Sequence, residues 1–478
     1  MDKKLVLIFW LLFIAVYSIN LTLLPIFEDE AQYLLLAEAI QSNPVGNFFL
    51  YPQNGLLPFF GWMVAIFNFF IKDSLVAGRI VNVLFASSLV WWLYSISQLY
   101  KLSKTFFFIC FLFLLTSPIL LLNARVAMLD TAVLALTAWY LYFTLKIFLF
   151  PTKKDYIGLL VTLLAALLTK ATVLFGIPAL IILILIEIYK KKKITKEIIY
   201  PILVYGLAFG VLGGLFFFFS QQIHRDSGSS LVSNFSMENF LERIRINSWL
   251  TLNWTTVYYQ PALVALLEYI VFFKYIKNKK VFFILGFWMV TAMAATITLN
   301  RFYYPRHILI LLAPLTIFVG GIWAYIPKLI SIPLLLLIFL PRIFFDWNIV
   351  FTPQKAALAA EDRFSFYEDY TSGVGVEEIA VALSKLSKDG PIVVWLDGSY
   401  IMRYGLRREL ENNANIIFKS FNPFVGSFFD ATGDVIKDDN FTTYALANRW
   451  YPKNAGKLKI IRSFDVSFRH RRVLYQML

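Results

Sequence analysis

Apolar residues along this chain occur in blocks of roughly 18–23, the length at which a helix crosses a bilayer. Short polar loops separate the blocks, and this pattern predicts about eleven membrane-spanning helices. They are expected near residues 5–26, 80–99, 105–122, 130–150, 156–169, 171–189, 199–219, 257–276, 281–299, 305–326 and 329–346. The fifth and sixth blocks are short and share the interruption Thr169-Lys170-Ala171, which suggests a tight hairpin.

From about residue 350 the apolar blocks give way to short elements of alternating character. The pattern predicts helices over Val376–Leu386 and Tyr400–Glu411 and a buried strand over Ile392–Leu396. Further strands are expected over Ile416–Phe418, Tyr444–Ala447, Leu458–Ile461 and Val473–Tyr475. We therefore predict a polytopic α-helical membrane domain over residues 1–348 and a soluble α/β domain over residues 349–478.

Composition agrees with this division and excludes an ordinary soluble protein, because 59% of the residues are hydrophobic and only 15% are charged. The net charge of +14 could indicate a nucleic-acid partner. However, the lysines cluster in short loops between apolar blocks, so we expect no nucleic acid. The first block is too long for a signal peptide and lacks a small-x-small cleavage site, so it is expected to be retained.

The lysines also predict the orientation of the chain. Alternate loops are rich in lysine, and the positive-inside rule places these loops and the N-terminus in the cytoplasm. The opposite side then receives two long loops, residues 28–79 and 220–256, and the C-terminal domain. The composition of the second loop favours either a lid over a lateral substrate entrance or an ordinary loop. We expect a protein integral to the cytoplasmic membrane with an extracytoplasmic C-terminal domain.

Three consecutive carboxylates, Glu28, Asp29 and Glu30, follow the first apolar block where an amphipathic helix is predicted to begin. One interpretation is helix capping, in which such carboxylates stabilise the helix by about 0.3–1 kcal/mol. The other is a general base that takes a proton from an acceptor hydroxyl. The same oxygens could hold a divalent metal ion, so metal dependence stays open. No other cofactor motif stands out.

Several charged residues fall on the same side of the membrane as this acidic cluster. Arg125 and Asp130 flank the start of the fourth block, either as a structural ion pair or as part of a site. Lys170 interrupts the fifth and sixth blocks, either as a simple interfacial turn or as a cation for an anionic headgroup.

A second basic group opens the tenth block, where Asn300–His307 contains two arginines and a histidine beside paired tyrosines. Arg301, Tyr304 and Arg306 are either interface anchors or ligands of a phosphate headgroup. A carboxylate base and several cations on one face of a membrane are what sugar transfer from a lipid phosphate requires. The base activates the acceptor, and the cations stabilise the departing phosphate.

With these motifs together, the chain resembles the GT-C superfamily of polyprenyl-phosphate-dependent glycosyltransferases. It is most similar to the bacterial relatives of protein O-mannosyltransferases and lipid A aminoarabinose transferases. The matching segments are Asp29–Tyr33, Ala124–Asp130, Leu168–Lys170 and Arg301–Arg306. Their order and spacing carry the resemblance, as does the plan of many spans followed by an outer α/β domain.

The resemblance implies an inverting glycosyltransferase of the cell envelope. It would move a sugar from a polyprenyl-phosphate carrier to a lipid, glycan or protein acceptor on the extracytoplasmic face. Asp29 is the expected catalytic base, with Glu30 beside it. The expected phosphate and headgroup ligands are Lys170, Arg301, Tyr304 and Arg306, and the expected supporting residues are Arg125, Asp130 and Asn54.

One segment departs from the family pattern. Relatives often carry Lys-Pro-Pro or His-Pro-Pro late in the first outer loop, where this chain has Gln53-Asn54-Gly55 followed by Leu-Leu-Pro58. A cation that would contact the donor phosphate is therefore missing. Either Arg301 or Arg306 compensates for it, or the donor is held differently.

Two other functions stay open. A lipid or polysaccharide transporter or flippase would carry charges along the middle of several spans and have related halves. Here the charges gather at one face, and the sequence has no visible duplication. A noncatalytic scaffold that has kept the fold is compatible with the missing segment, and replacing Asp29 distinguishes it from an enzyme.

Overall fold

The computed structural model divides the chain into two compact units. The membrane unit consists of Met1–Leu21 with Leu36–Ala359, and the C-terminal unit consists of Thr22–Leu35 with Ala360–Leu478. The structure describes residues 2–48, 57–177, 195–218, 237–272, 279–299, 303–325, 327–369, 371–396, 399–420, 441–447, 458–465 and 471–477, with a few positions between 181 and 192.

The membrane unit is helical. Its helices are α1 Lys3–Ser18, α2 Glu28–Ser42, α3 Phe59–Asn68, α4 Ser74–Leu99, α5 Lys104–Leu115, α6 Pro118–Ala124, α7 Leu129–Leu149, α8 Lys153–Leu167, α9 Lys196–Phe218, α10 Met237–Phe272, α11 Lys279–Leu299, α12 Leu312–Tyr325 and α13 Lys328–Phe351. Two 3-10 helices, Ala171–Gly176 and Pro305–Leu311, join them. The first turn of α2 belongs to the C-terminal unit, since the division falls between Leu35 and Leu36.

Four helices within the described residues are long and apolar enough to cross a membrane, or five if the bent pair α5–α6 counts as one span. The four are α4, α7, α13 and the Ile198–Leu215 part of α9. Several spans are thus present, whereas the count of about eleven stays a prediction.

The predicted blocks differ from the observed helices at three breaks. Helix α1 ends at Ser18, eight positions before the predicted end at 26, because Asn20 takes a left-handed conformation with a φ of 51°. The third block is bent by 58° between α5 and α6, where Pro118 occupies the first position of α6. The sixth block begins as a 3-10 helix, and its predicted hairpin lies partly outside the described residues.

Two buried arginines hold the end of α1. Arg125 donates to the carbonyls of Ile19 and Asn20, and Arg79 donates to the carbonyl of Leu21. The last carbonyls of a helix have no partner within it, and a bilayer offers no water to satisfy them. Arg342 does the same at the break between α5 and α6. These guanidinium groups therefore satisfy backbone carbonyls at helix ends that the apolar pattern did not predict.

The C-terminal unit contains a sheet with the strand order β2-β1-β3-β5-β4. Its elements are α14 Ala360–Arg363, α15 Val376–Leu386, β1 Ile392–Leu396, α16 Tyr400–Glu409, β2 Ile416–Ser420, β3 Thr442–Ala447, β4 Leu458–Asp465 and β5 Arg471–Met477. Strand β1 runs parallel to β2 and β3, with Ile392 opposite Ile416 and Thr442. Strand β5 pairs antiparallel with β3 and β4. Each helix and strand predicted in this region is observed; β1 has the predicted bounds, the other four strands are a few residues longer, and α16 ends two residues earlier.

The division between the units differs from the predicted domain boundary. The sequence placed it at residue 348, whereas α13 continues to Phe351 and the compact units divide after Ala359. The C-terminal unit also includes residues 22–35, which carry the acidic cluster. The C-terminal unit therefore contains residues that the hydrophobic pattern assigned to the end of the first apolar block and to the loop after it.

Candidate functional site

The acidic cluster forms the first turn of α2, which begins at Glu28. Glu30 is fully buried, and its Oε2 accepts a hydrogen bond from the backbone N–H of Phe27 at 3.3 Å. This contact satisfies one of the donors that a helix leaves unpaired at its N-terminus. Glu30, predicted beside the base, thus has a capping contact, as the structural interpretation of the cluster expected.

The carboxylate of Glu28 accepts hydrogen bonds from the start of a different helix. Its Oε1 accepts from the N–H of Tyr400 at 2.8 Å, and its Oε2 accepts from the N–H of Ile401 at 3.2 Å and from Ser399 Oγ at 3.0 Å. All three donors lie at the N-terminus of α16. Burial raises the pKa of Glu28, while the hydrogen bonds from these three donors oppose the rise. Sequence reasoning had no signal for this contact.

Backbone contacts hold the same turn from a second side. The N–H of Glu28 donates to the carbonyl of Thr371 at 3.1 Å, and Phe27 forms an antiparallel bridge with Ser372. Gly373 permits this approach, since a Cβ there would lie 2.7 Å from the carbonyl oxygen of Ile26. The start of α2 is therefore paired with a strand-like segment of the C-terminal unit.

Asp29 lies between two carboxylates whose oxygens are used by the fold, and it is partly exposed. In the described part of the chain, no group of three or more His, Cys, Asp and Glu side chains is arranged to hold a metal ion.

The second group of charges lies in the membrane unit around Asp130. Asp130 is in the first turn of α7, and its side chain is 10% exposed. Lys170 Nζ lies 2.8 Å from its Oδ1, and Arg306 Nε lies 3.7 Å from its Oδ2. Lys170 and Arg306, two of the predicted site residues, thus lie against the carboxylate of a third, Asp130, although all three are distant in sequence. We call this group the cation cluster.

Aromatic and imidazole side chains surround Arg306. The guanidinium carbon lies 4.7 Å from the centre of the Tyr304 ring, and His307 Nδ1 accepts a hydrogen bond from the N–H of Tyr304 at 3.0 Å. The ring of His307 also stacks on that of Tyr303, with 5.7 Å between the centroids. The side chains at the start of the tenth block are therefore joined to one another by these contacts.

A small cavity of about 20 Å³ adjoins this cluster, large enough for one water molecule. Its lining residues are Asp130, Val133, Thr172, Thr296, Arg306, His307 and Ile310. The two threonines were not among the predicted site residues, because isolated threonines in apolar blocks give no sequence signal.

The remaining predicted residues have different outcomes. Arg125 was expected to support Asp130, but it donates to carbonyls at the end of α1 while Asp130 pairs with Lys170 and Arg306. The supporting role expected for Arg125 beside Asp130 stays a prediction. Arg301 and Asn54 lie outside the described residues.

An apolar cavity of about 310 Å³ lies between α3, α4 and α7. Its lining residues are Met63, Phe67, Val81, Leu84, Phe85, Ser88, Ala135, Leu136 and Trp139. Successive residues of a helix turn by about 100°, so the lining residues of α7 face away from Asp130. This cavity is therefore separate from the cation cluster.

Comparisons with known proteins agree with the sequence resemblance. Residues 53–212 match the family model of dolichyl-phosphate-mannose-protein mannosyltransferase. The structure is similar to that of ArnT from Cupriavidus metallidurans bound to undecaprenyl phosphate, with a TM-score of 0.61 and 13% identity over 100% of this chain and 98% of that one. For the apo state of the same protein the TM-score is 0.58 at 13% identity, over 99% and 98%.

No curated protein sequence matches the chain. The likeness to ArnT at this identity concerns the fold, and it covers both chains almost completely. The chain is therefore a polytopic helical membrane protein with the fold of ArnT, and its resemblance to the GT-C glycosyltransferases is confirmed.

Proposed function

We propose that this GT-C protein transfers a sugar from a polyprenyl-phosphate donor to an acceptor hydroxyl on the extracytoplasmic face of the cytoplasmic membrane. Asp29 is the base, and the cation cluster binds the donor phosphate. The observation that carries this proposal is the meeting of Lys170 and Arg306 at Asp130, at the start of a membrane helix. The ArnT structure of the same fold is bound to undecaprenyl phosphate, which is such a lipid.

The proposed reaction is a single displacement. The carboxylate of Asp29 takes the proton of the acceptor hydroxyl, and the acceptor oxygen attacks the anomeric carbon of the sugar. The bond between that carbon and the phosphate oxygen breaks, and its electron pair stays on the departing polyprenyl phosphate. Because attack and departure occur on opposite faces, the anomeric configuration inverts.

The leaving group determines what the protein must supply. A departing phosphate monoester carries about −1.5 to −2 charges near neutral pH, so it needs cations rather than a general acid. Lys170 and Arg306 supply two positive charges, and Asp130 offsets one of them before the donor arrives. Their side chains stay 27% and 17% exposed, which leaves both accessible to a ligand.

The membrane side follows from the lysine-rich loops, which favour a cytoplasmic N-terminus. With that orientation, the acidic cluster, Asp130 and the C-terminal unit face the extracytoplasmic side. The acceptor is a lipid, a glycan or a protein with a free hydroxyl.

The test uses membranes that contain the protein and a panel of labelled polyprenyl-phosphate sugars. We expect wild type to move label into a lipid- or polymer-bound product and Asp29→Asn to lose this transfer. Lys170→Gln should weaken transfer by raising the KM for the donor, whereas Lys153→Gln, an exposed lysine at the start of α8, should not. Equal transfer by wild type and Asp29→Asn would remove Asp29 from the mechanism. Label that crosses the bilayer without a new covalent bond would identify a transporter.

A further inference from the structure

The first turn of α2 is held by the rest of the C-terminal unit through contacts that the proposed chemistry does not use. Glu28 is the centre of these contacts, because its carboxylate and its backbone N–H each bind a different segment. The residues it contacts follow it by more than 340 positions in the sequence. A helix start needs only local capping contacts, so these long-range contacts are additional to it.

Both oxygens of Glu28 are committed to α16. One accepts from the N–H of Tyr400, and the other accepts from the N–H of Ile401 and from Ser399 Oγ. A negative charge at a helix N-terminus is further stabilised by the helix dipole. Glu28 is thus held against the N-terminus of α16.

The segment that pairs with the backbone of Glu28 is held in turn. The buried guanidinium group of Arg472, on β5, donates to the carbonyls of Ser372 and Val374. Ser372 bridges to Phe27, and the rings of Phe27 and Phe366 lie 5.3 Å apart between centroids. The sheet of the C-terminal unit therefore holds the start of α2 through a chain of short contacts.

These contacts fix the direction of Asp29. Successive side chains of a helix point about 100° apart, so anchoring Glu28 by its carboxylate to α16 and by its N–H to Thr371 restrains rotation of the helix start. A base must lie within about 2.6–3.2 Å of the proton it takes, and a misplacement of about 1 Å can cost about a hundredfold in rate. Small rotations of this turn would therefore displace the carboxylate of Asp29 and lower the rate.

We propose that Glu28 is a positioning residue for Asp29, and that its contact with the N-terminus of α16 makes the rate of transfer depend on the C-terminal unit. This inference rests on the proposed function, in which Asp29 is the base. It assigns to the C-terminal unit a role in the chemical step.

The experiment measures transfer by the full-length protein in proteoliposomes for wild type, Glu28→Gln, Ser399→Ala and Glu377→Gln. The amide of Glu28→Gln keeps the side-chain length but cannot accept from all three donors, so we expect kcat to fall about tenfold to a hundredfold. Ser399→Ala removes one donor and should lower kcat by about twofold to fivefold. Glu377→Gln, an exposed residue in the first turn of α15, is the matched control and should leave kcat unchanged.

Three readouts separate positioning from general damage. The KM for the donor should stay within about twofold of wild type in each variant, because the cation cluster is untouched. Hydrogen exchange at the amides of Tyr400 and Ile401 should rise in Glu28→Gln, as these amides lose an acceptor. The plateau of the pH–rate profile should fall in Glu28→Gln, since poorer alignment lowers the rate at every pH.

A kcat for Glu28→Gln within about twofold of wild type, with faster exchange at Tyr400 and Ile401, would overturn the positioning role. A proportional rise in donor KM in both variants would also overturn it, since the effect would then lie in binding. If Asp29→Asn in the same assay transfers as fast as wild type, the proposed function itself fails. The two failures are therefore distinguished by different variants.

Discussion

The acidic cluster and the cation cluster are both built around buried carboxylates, yet they satisfy them differently. In the acidic cluster, Glu28 and Glu30 accept hydrogen bonds mainly from backbone N–H groups at helix starts. In the cation cluster, Asp130 pairs with the side chains of Lys170 and Arg306. The first arrangement is fixed by the fold, and the second is made of parts that can change partner.

This difference suits the two halves of the proposed reaction. A base has to keep one direction through the reaction, and backbone donors provide that because they cannot move independently of their helix. A phosphate site has to accept and release an anion. Flexible cations that rest against an internal carboxylate can do so by exchanging that carboxylate for the phosphate.

The largest effect is expected from removing the base. Asp29→Asn keeps the size of the side chain but cannot accept a proton, so kcat should fall by about 10²–10⁴-fold, the usual contribution of a general base. Donor affinity should not change, because the cation cluster is intact. Single-turnover transfer and donor binding, measured on the same proteoliposomes, check both parts.

Glu38→Gln is the matched control for this variant, since Glu38 is another acidic residue of α2 and is also partly buried. It should retain the rate of wild type. A loss of donor binding in Asp29→Asn would contradict the separation of the two clusters.

The next effect tests the cations. Lys170→Gln should raise the KM for the donor and its dissociation constant by about tenfold to a hundredfold, as expected for a lost hydrogen bond to a charged group. Under saturating donor, kcat should change much less than in Asp29→Asn. Titration of the membranes with labelled donor lipid measures the affinity, and Lys153→Gln serves as the control.

If Lys170→Gln lowered kcat at saturating donor and left affinity unchanged, Lys170 would act on the transition state alone. The cation cluster would then take part in the chemical step rather than in binding the donor.

A double-mutant cycle measures how far the charges of the cation cluster depend on one another. Asp130→Asn should destabilise the protein by about 1–2 kcal/mol, less than the 3–5 expected for a wholly buried pair, because Lys170 stays 27% exposed. In Asp130→Asn/Lys170→Gln the loss should be smaller than the sum of the single losses, since no charge of that pair is left alone. Thermal unfolding in one detergent gives the four values.

Additive losses in this cycle would show that Asp130 and Lys170 do not stabilise each other. Asp130 would then be retained for binding or chemistry alone.

The cation cluster and the strands of the C-terminal unit could be predicted from the sequence. Asp130, Lys170 and Arg306 were identified because charges next to apolar blocks are rare and because loop parity placed them on one face. Their meeting in the structure follows from that shared location. In the C-terminal unit the strands were predictable from short apolar runs bounded by turns, and each is observed.

The contacts of the acidic cluster could not be predicted in the same way. Glu28 accepts from Tyr400 and Ile401, and backbone donors carry no residue-specific signal. Likewise, the role of Arg125 depends on where α1 ends, which is set by the left-handed turn at Asn20 rather than by the apolar pattern. Side chains that bind backbone are therefore the part of this site that required a structure.

The smallest effect concerns pH and tests how the acidic cluster is held. Burial raises the pKa of Glu28 in the folded protein above its usual value of 4.5, and the α16 donors limit the rise.

A raised carboxyl pKa means that the folded state binds the proton more tightly than the unfolded state. Its contribution to stability is then fully present below the unfolded pKa and is lost as pH rises through the folded pKa. The Tm of wild type minus that of Glu28→Gln, which does not titrate, should therefore be greatest below the usual pKa of 4.5 and decline as pH rises above it. Glu377→Gln, whose side chain is exposed, should show no such trend. If the difference instead grew with pH, hydrogen bonding from α16 would outweigh burial, and the N-terminus of α16 would stabilise the ionised form of Glu28.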